Sequence, residues 1–232
     1  MAVIGIPVRY DYDRDMNNRS IIYIFESLRR TIQKAGGDIK MILPIQDVDY
    51  MKTEYSDFPE LTEEEKIKIN NELDKCDGLL LPGGIKYSPF DMYILDYAIK
   101  NDMPTLGICL SMQMMTCYEN NNNLELIESN INHNEPDKIL SHLVKIDKES
   151  KLYKIIGKEE IMVNSIHKYH ANESNIYKTV AYAPDGVIEA IEHPNLTFNI
   201  GLQWHPEKNY DEDENSRKII DEFIKQAENR VI

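Results

Sequence analysis

Short apolar runs alternate with stretches of helical periodicity through the first half of the chain. Ala2–Pro7 is an apolar run that predicts a strand, and Ser20–Ala35 places Ile21, Ile22, Ile24, Phe25, Leu28 and Ile32 at helical spacing. Gly36-Gly37 then supplies a helix stop. Asp38–Ile45 reads as a second strand, and Thr62 with Glu65 forms a capping-box pattern that opens a helix reaching about Cys76. "DGLLLPGG" (Asp77–Gly84) is a third strand, apolar throughout, that runs into a glycine turn. A helix over about Phe90–Lys100 follows, then a fourth strand at Pro104–Cys109 and a helix from Leu110. Strands apolar on both faces, separated by helices, predict a mainly parallel sheet covered on both sides.

The pattern changes after residue 120. Glu119–Asn123 ("ENNNN") is a polar, low-complexity patch that reads as a surface loop. From Ser141 onward the chain carries short strands ("HLVKI", "KTVAYA", "VIEAIE", "LTFNIGLQW") with turns at Pro184-Asp185-Gly186 and His193-Pro194-Asn195. These predict an antiparallel extension of the same sheet, and Ser216–Arg230 closes the chain as an amphipathic helix. The expected fold is thus an α/β, flavodoxin-like three-layer sandwich with an antiparallel C-terminal part. With no linker and no repeat in view, residues 1–232 are expected to form a single domain.

Composition narrows the partners. No run approaches the roughly 18 apolar residues of a membrane span, and the N-terminal residues show no signal-peptide pattern, so a soluble protein with no membrane partner is expected. A net charge of −14 opposes nucleic-acid binding, which relies on clustered Lys and Arg, and points to a small-molecule substrate. Three cysteines (Cys76, Cys109, Cys117) without a CxxC pair do not make a disulfide framework, and a cytoplasmic location is the expectation.

Cys109, in "GICLSMQ", falls where a buried strand gives way to a helix, the edge at which open α/β sheets present ligands. A nucleophile on such a sharp turn needs small neighbours two residues away on each side, and Gly107 and Ser111 are small. A helix N-terminus favours the thiolate form. A thiolate also needs a proton-transfer partner. His205, in "QWHPE", ends an apolar strand, and Glu207 two residues on would point the same way from an extended segment. Cys109, His205 and Glu207 therefore form a possible triad. Read singly, a lone Cys in an α/β protein is more often structural, and an H-x-E pair is often a solvated strand end.

Taken together, "VIGIP", "AGGDIKMILP", "DGLLLPGG", "PTLGICLSMQ", "SHLVKI", "VNSIHKYH", "DGVIEAIE" and "GLQWHPE" resemble the class I glutamine amidotransferase domain nearly end to end. The resemblance is closest to its stand-alone γ-glutamyl hydrolase branch (peptidase C26 type). It implies a nucleophile at Cys109, a base at His205 and an orienting acid at Glu207. It also implies oxyanion donors from the backbone N–H groups of Leu110 and the Gly83-Gly84 turn. Gln113 matches a residue that contacts the glutamyl moiety, and Asn164, Ser165 and His167 match a loop lining the substrate pocket. The implied reaction is cleavage of a γ-glutamyl amide of a small amine, or of glutamine, through a γ-glutamyl thioester, with no cofactor. The alternatives are a glutaminase subunit that supplies ammonia to a separate synthetase and a silent binding protein on the same fold; a homo-oligomer is compatible with each.

The family pattern is not followed everywhere. Ser111 stands where the hydrolases usually carry Gly, which leaves two outcomes open: a strained or crowded elbow, or a tolerated small residue. Lys86 replaces a common Asp, and "HKYH" replaces a more usual His-His-Gln. His167 and His170, three apart, would share a helix face, but no Cys or carboxylate cluster stands beside them in the sequence, so no metal site is expected.

Overall fold

The structure, a computed structural model, describes residues 1–13, 15, 17, 19–118 and 124–230. The first half runs β1 (Val3–Pro7), β2 (Arg9–Asp13), β3 (Arg19–Tyr23), α1 (Glu26–Lys34), β4 (Asp38–Ile42), α2 (Glu63–Leu73), β5 (Gly78–Leu81), α3 (Pro89–Lys100), β6 (Thr105–Ile108) and α4 (Leu110–Thr116). The second half runs β7 (Glu125–Leu126), β8 (His142–Ile146), α5 (Lys151–Ile156), β9 (Glu160–Val163), β10 (Tyr169–His170), β11 (Lys178–Tyr182), β12 (Ile188–Glu192), β13 (Asn199–Leu202) and α6 (Glu214–Glu228).

Among the described residues, nine strands form one sheet in the order β4-β1-β5-β6-β13-β12-β11-β8-β9. The first five are mutually parallel, and from β13 onward each pairing is antiparallel. Successive residues on a strand face opposite ways, and β5 shows the consequence. Leu80 enters the core layer shared with α1 and α6, through Leu28, Ile32, Ile220 and Phe223. Leu79 and Leu81 enter the other layer, with Ile69 and Leu73 of α2, Phe90 and Ile94 of α3, and Met112 of α4. The sheet is therefore covered on both faces, as the unbroken apolar strands predict. Each such fully buried side chain contributes about 1.5–3 kcal/mol. Among the described residues, no helix is long and apolar enough to cross a membrane.

The expected helix over Ser20–Ala35 is corrected. Its first residues form β3, a hairpin partner of β2 with Asp11 opposite Ile21, and the helix begins only at Glu26. Ile21 and Ile22 are β-branched and exposed in this hairpin, so their helical spacing did not reflect a buried face. The Thr62–Glu65 capping box is present, with the Glu65 N–H donating to Thr62 Oγ1 and the Thr62 N–H to Glu65 Oε2. The loop expected at Glu119–Asn123 lies outside the described residues.

Candidate active site

Strands β6 and β13 lie side by side in parallel, with Ile108 paired to Leu202. Both end at the same edge of the sheet, so the residues that follow them meet there. The Cys109 N–H donates to the Leu202 carbonyl at 2.7 Å, and the chain then turns sharply into α4. Cys109 has φ 51° and ψ −108°, a conformation that side chains rarely adopt and that costs on the order of 1–3 kcal/mol. Gly107 must be small because a Cβ there would run into Met115 Sδ.

Three residues beyond the end of β13, His205 is held through its backbone. Its N–H donates to Asn164 Oδ1 at 2.8 Å, and Asn164 Nδ2 donates to its carbonyl at 2.8 Å. The ring Nδ1 lies 2.8 Å from Glu207 Oε1, which leaves Nε2 for Cys109. The carboxylate reaches the ring through a 3-10 turn at Pro206–Lys208 and not, as expected, from an extended strand. Proline at the first turn position fixes that geometry. Thr31 Oγ1 of α1 donates to the Glu207 carbonyl at 2.9 Å and ties the turn to that helix. Burial alone disfavours the charged imidazole, but the Glu207 carboxylate and the Cys109 sulfur outweigh it and push His205 up to about 10. Gly83 packs against both groups: a Cβ there would stand 3.0 Å from His205 Cε1 and 3.4 Å from Cys109 Cβ.

Ser111 is fully buried and bonded on both sides. Arg9 Nη2 donates to Ser111 Oγ at 2.7 Å, and Ser111 Oγ donates to the Pro82 carbonyl at 2.8 Å. The same guanidinium donates to the Pro82 carbonyl from Nη2 at 2.6 Å and to the Gly83 carbonyl from Nε at 3.2 Å. Its Nη1 meets Asp91 Oδ1 at 2.5 Å, with both side chains about 1% exposed. Of the two outcomes left open by the sequence, the structure shows a tolerated small residue whose hydroxyl knits the elbow to the "PGG" turn.

A cavity of about 440 Å³ opens beside Cys109, lined among others by Gly84, Leu110, Gln113, Asn134, His167, Lys168 and Tyr169. Leu110 opens α4, where N–H groups have no intrahelical acceptor. Gln113 lines the cavity, but its Nε2 donates to the Tyr169 carbonyl at 2.9 Å and to Gln203 Oε1 at 3.0 Å. The expected pocket contacts Asn164 and Ser165 point elsewhere: Asn164 pins His205, and Ser165 Oγ donates to the His133 carbonyl at 2.9 Å. His167 borders the cavity through its segment while its ring is buried behind it.

That ring belongs to a group unread in the sequence. His133, His142, His167 and Glu189 are all buried, with one ligand-type atom from each lying within 4.8 Å of the others. They come from four separate segments, so no spacing signalled them. His170 is not part of the group. It sits on β10, near Glu125, and shares no helix face with His167. Cys76 and Cys117 are buried thiols outside any disulfide.

The peptidase C26 family model matches residues 88–207, just over half of the chain, including Cys109, His205 and Glu207. A glutamine amidotransferase-like protein of Rickettsia prowazekii is 29% identical over 205 residues, covering 60% of this chain and 73% of that protein. A CTP synthase of Thermotoga maritima is 30% identical over 184 residues, covering 64% of this chain and 34% of the synthase. The chain thus spans about a third of that larger enzyme's length. Among solved structures, the Trypanosoma brucei CTPS glutaminase domain with bound acivicin superposes with a TM-score of 0.64 at 14% identity, covering 100% of this chain and 96% of that one. A Thermotoga maritima glutamine amidotransferase superposes at 0.56 and 13% identity, covering 97% and 96%. At such identities the likeness is one of fold.

Proposed function

The chain belongs to the peptidase C26 family of class I glutamine amidotransferase-like proteins, and from that premise we propose that it is a cysteine-dependent amidohydrolase acting on a γ-glutamyl amide. The observation that carries this reading is the contact of three parts at one sheet edge: Cys109 on its strained turn, the His205–Glu207 pair, and Gly83 packed against both.

In this reading the Cys109 sulfur attacks the γ-carbonyl carbon and the carbonyl π electrons move to oxygen. The N–H groups of Leu110 and Gly84, both at the cavity beside Cys109, stabilise that oxyanion; Gly83 keeps the turn close. Removing one such donor typically costs about 10²–10³ in rate. His205, charged and held by Glu207, gives its Nε2 proton to the leaving nitrogen as the C–N bond breaks, leaving a γ-glutamyl thioester. The neutral ring then takes a proton from water, hydroxide adds to the thioester, and glutamate leaves as the thiolate re-forms. Each step uses groups of the chain itself. Gln113 borders the glutamyl site, and Lys168 on the cavity lining supplies a cation for the substrate carboxylate. Asn164 positions His205 and does not touch substrate. Residues 1–232 act as one domain, a reading supported by the continuity of the nine-strand sheet. Three cysteines outside any disulfide fit a cytoplasmic setting.

A second reading is favoured by the CTP synthase relatives, in which a chain of this kind occupies a third of a larger enzyme. Here the substrate is glutamine and the released ammonia passes to a synthetase partner.

The test is to incubate the protein with glutamine, γ-glutamyl-aminobutyrate and other γ-glutamyl amides, and to measure glutamate release beside a Cys109→Ala control. Release from the amides supports the first reading, and glutamine turnover that appears only with a partner supports the second. Alkylation at neutral pH reports on Cys109, because burial pushes Cys76 up to about 11 and raises Cys117 as well. No release together with no labelling overturns both.

A further inference from the structure

Glu189 on β12 is fully buried, and its carboxylate is surrounded by three buried imidazoles. Its Oε1 lies 3.3 Å from His133 Nδ1, 3.4 Å from His142 Nε2 and 3.6 Å from His167 Nε2. Neither carboxylate oxygen has a hydrogen-bond partner, and neither do His142 Nε2 and His167 Nε2.

The outward nitrogens determine the inward ones. His142 Nδ1 faces the Leu143 carbonyl at 3.1 Å, and His167 Nδ1 faces the Tyr169 carbonyl at 3.0 Å. A carbonyl only accepts, so each Nδ1 carries the proton and each neutral ring turns a bare Nε2 lone pair inward. His133 Nε2 faces Asp185 Oδ2 at 2.9 Å and donates to it, which leaves Nδ1 as its inward atom. The inward nitrogens of three imidazoles and a carboxylate thus converge among buried side chains, with Ser165 Oγ 3.5 Å from His133 Nδ1. Such an arrangement is repulsive unless a proton or a metal cation is shared among these groups.

We propose that His133, His142, His167 and Glu189 form a tetrahedral site for a divalent transition-metal ion, zinc in the first instance. Zinc bonds of about 2.0–2.1 Å in a tetrahedron place neighbouring donors about 3.3 Å apart, the separation at which Glu189 Oε1 already stands from the imidazoles. Each imidazole donates its other N–H to a carbonyl or carboxylate, the pattern by which metal-bound histidines are oriented. Four protein donors leave no open coordination position, so the ion is structural. A cleft of about 560 Å³ lined by Ile127–Asn134, His167 and Lys168 reaches His133 and His167 and offers an entry path.

The ion would fasten together β8, β12 and the segments carrying His133 and His167. Asn134 and Ile166, the neighbours of two ligands, bridge each other and line the cavity beside Cys109. The metal thus braces one wall of that cavity without entering it. The inference rests on the cluster alone and is independent of the reaction assigned to Cys109.

The test uses the full chain after chelator treatment and dialysis, titrated with Zn²⁺ alone and followed by calorimetry and elemental analysis, with Co²⁺ as an optical probe. The expected result is one ion per chain, a thermal midpoint that rises with zinc, and the intense visible d–d bands of tetrahedral cobalt without a thiolate charge-transfer band. Cys109→Ala keeps the stoichiometry, whereas Glu189→Gln and His142→Ala lower the affinity at least 100-fold. Since either cluster variant could misfold, the cobalt spectrum of the unmodified chain decides by itself. Absence of tetrahedral cobalt bands, less than a tenth of an ion per chain, or binding that survives Glu189→Gln in a folded protein overturns the proposal. The cluster would then be held by protons.

Discussion

Ser111 Oγ sits between Arg9 and Pro82, accepting from the guanidinium and donating to the carbonyl. The residue after the nucleophile turn is thereby bonded to the same Arg9 that holds the carbonyls of Pro82 and Gly83. Ser111→Gly, which restores the residue usual in similar hydrolases, is expected to lower stability by about 1–3 kcal/mol, because a buried guanidinium N–H loses an acceptor. Urea unfolding followed by circular dichroism measures this. An unchanged midpoint would show that Pro82 alone satisfies Arg9.

Arg9 and Asp91 make a buried ion pair, and Asp91 also accepts from the N–H and hydroxyl of Ser88 at the start of α3. Asp91→Ala is expected to destabilise the fold by about 3–5 kcal/mol, since it leaves a buried cation uncompensated. Replacing both partners together, as Arg9→Met with Asp91→Leu, should cost less than the single change. Thermal and urea unfolding of the three variants make the comparison.

Gly83→Ala addresses the site without replacing a titratable group. The added methyl would press on His205 Cε1 at 3.0 Å and on Cys109 Cβ at 3.4 Å. Glutamate release should fall on the order of 10²-fold, the scale of an ångström-sized misplacement, while unfolding changes little. Equal losses in activity and stability would point to general damage instead.

The elevated His205 has a pH signature. Its value rises from 6.5 to about 10 in the folded chain, so the charged ring stabilises the fold fully below about pH 6.5, and that contribution is lost as pH climbs through 10. Glu207→Gln removes the larger raising partner and Cys109→Ala the other. Both should lower the titration midpoint read from the His205 Cε1 proton by NMR, Glu207→Gln by more. Activity of Glu207→Gln should fall roughly 10²–10⁴-fold, the usual range for acid–base catalysis. A midpoint unmoved by Glu207→Gln would detach the carboxylate from the ring.

The strands were legible because burial on both faces leaves little room for polar residues: "GLLL" and "TLGI" fall within the expected third and fourth strands. The elbow was legible for a similar reason, as Gly107 has no space for a side chain. The β2–β3 hairpin was not, since Ile21 and Ile22 mimic a helix face while lying exposed. Arg9 carried no signal either, because its importance comes from partners far along the chain, Asp91 and Ser111. The roles expected of Asn164 and Ser165 illustrate a further limit. Local sequence places a residue near a pocket, but an amide or hydroxyl turns towards whichever buried backbone group lacks a partner.

The parallel pairing of β6 with β13 also sets an order in time. Cys109 is synthesised well before the strand that brings His205 beside it, and β13 must insert between β6 and β12 to complete the sheet. Until the C-terminal segment has emerged and docked, the thiol has neither His205 beside it nor the Leu202 carbonyl that anchors its backbone. A nascent or C-terminally shortened chain would therefore carry Cys109 as an ordinary thiol, and the reactivity proposed for it would arrive only with β13.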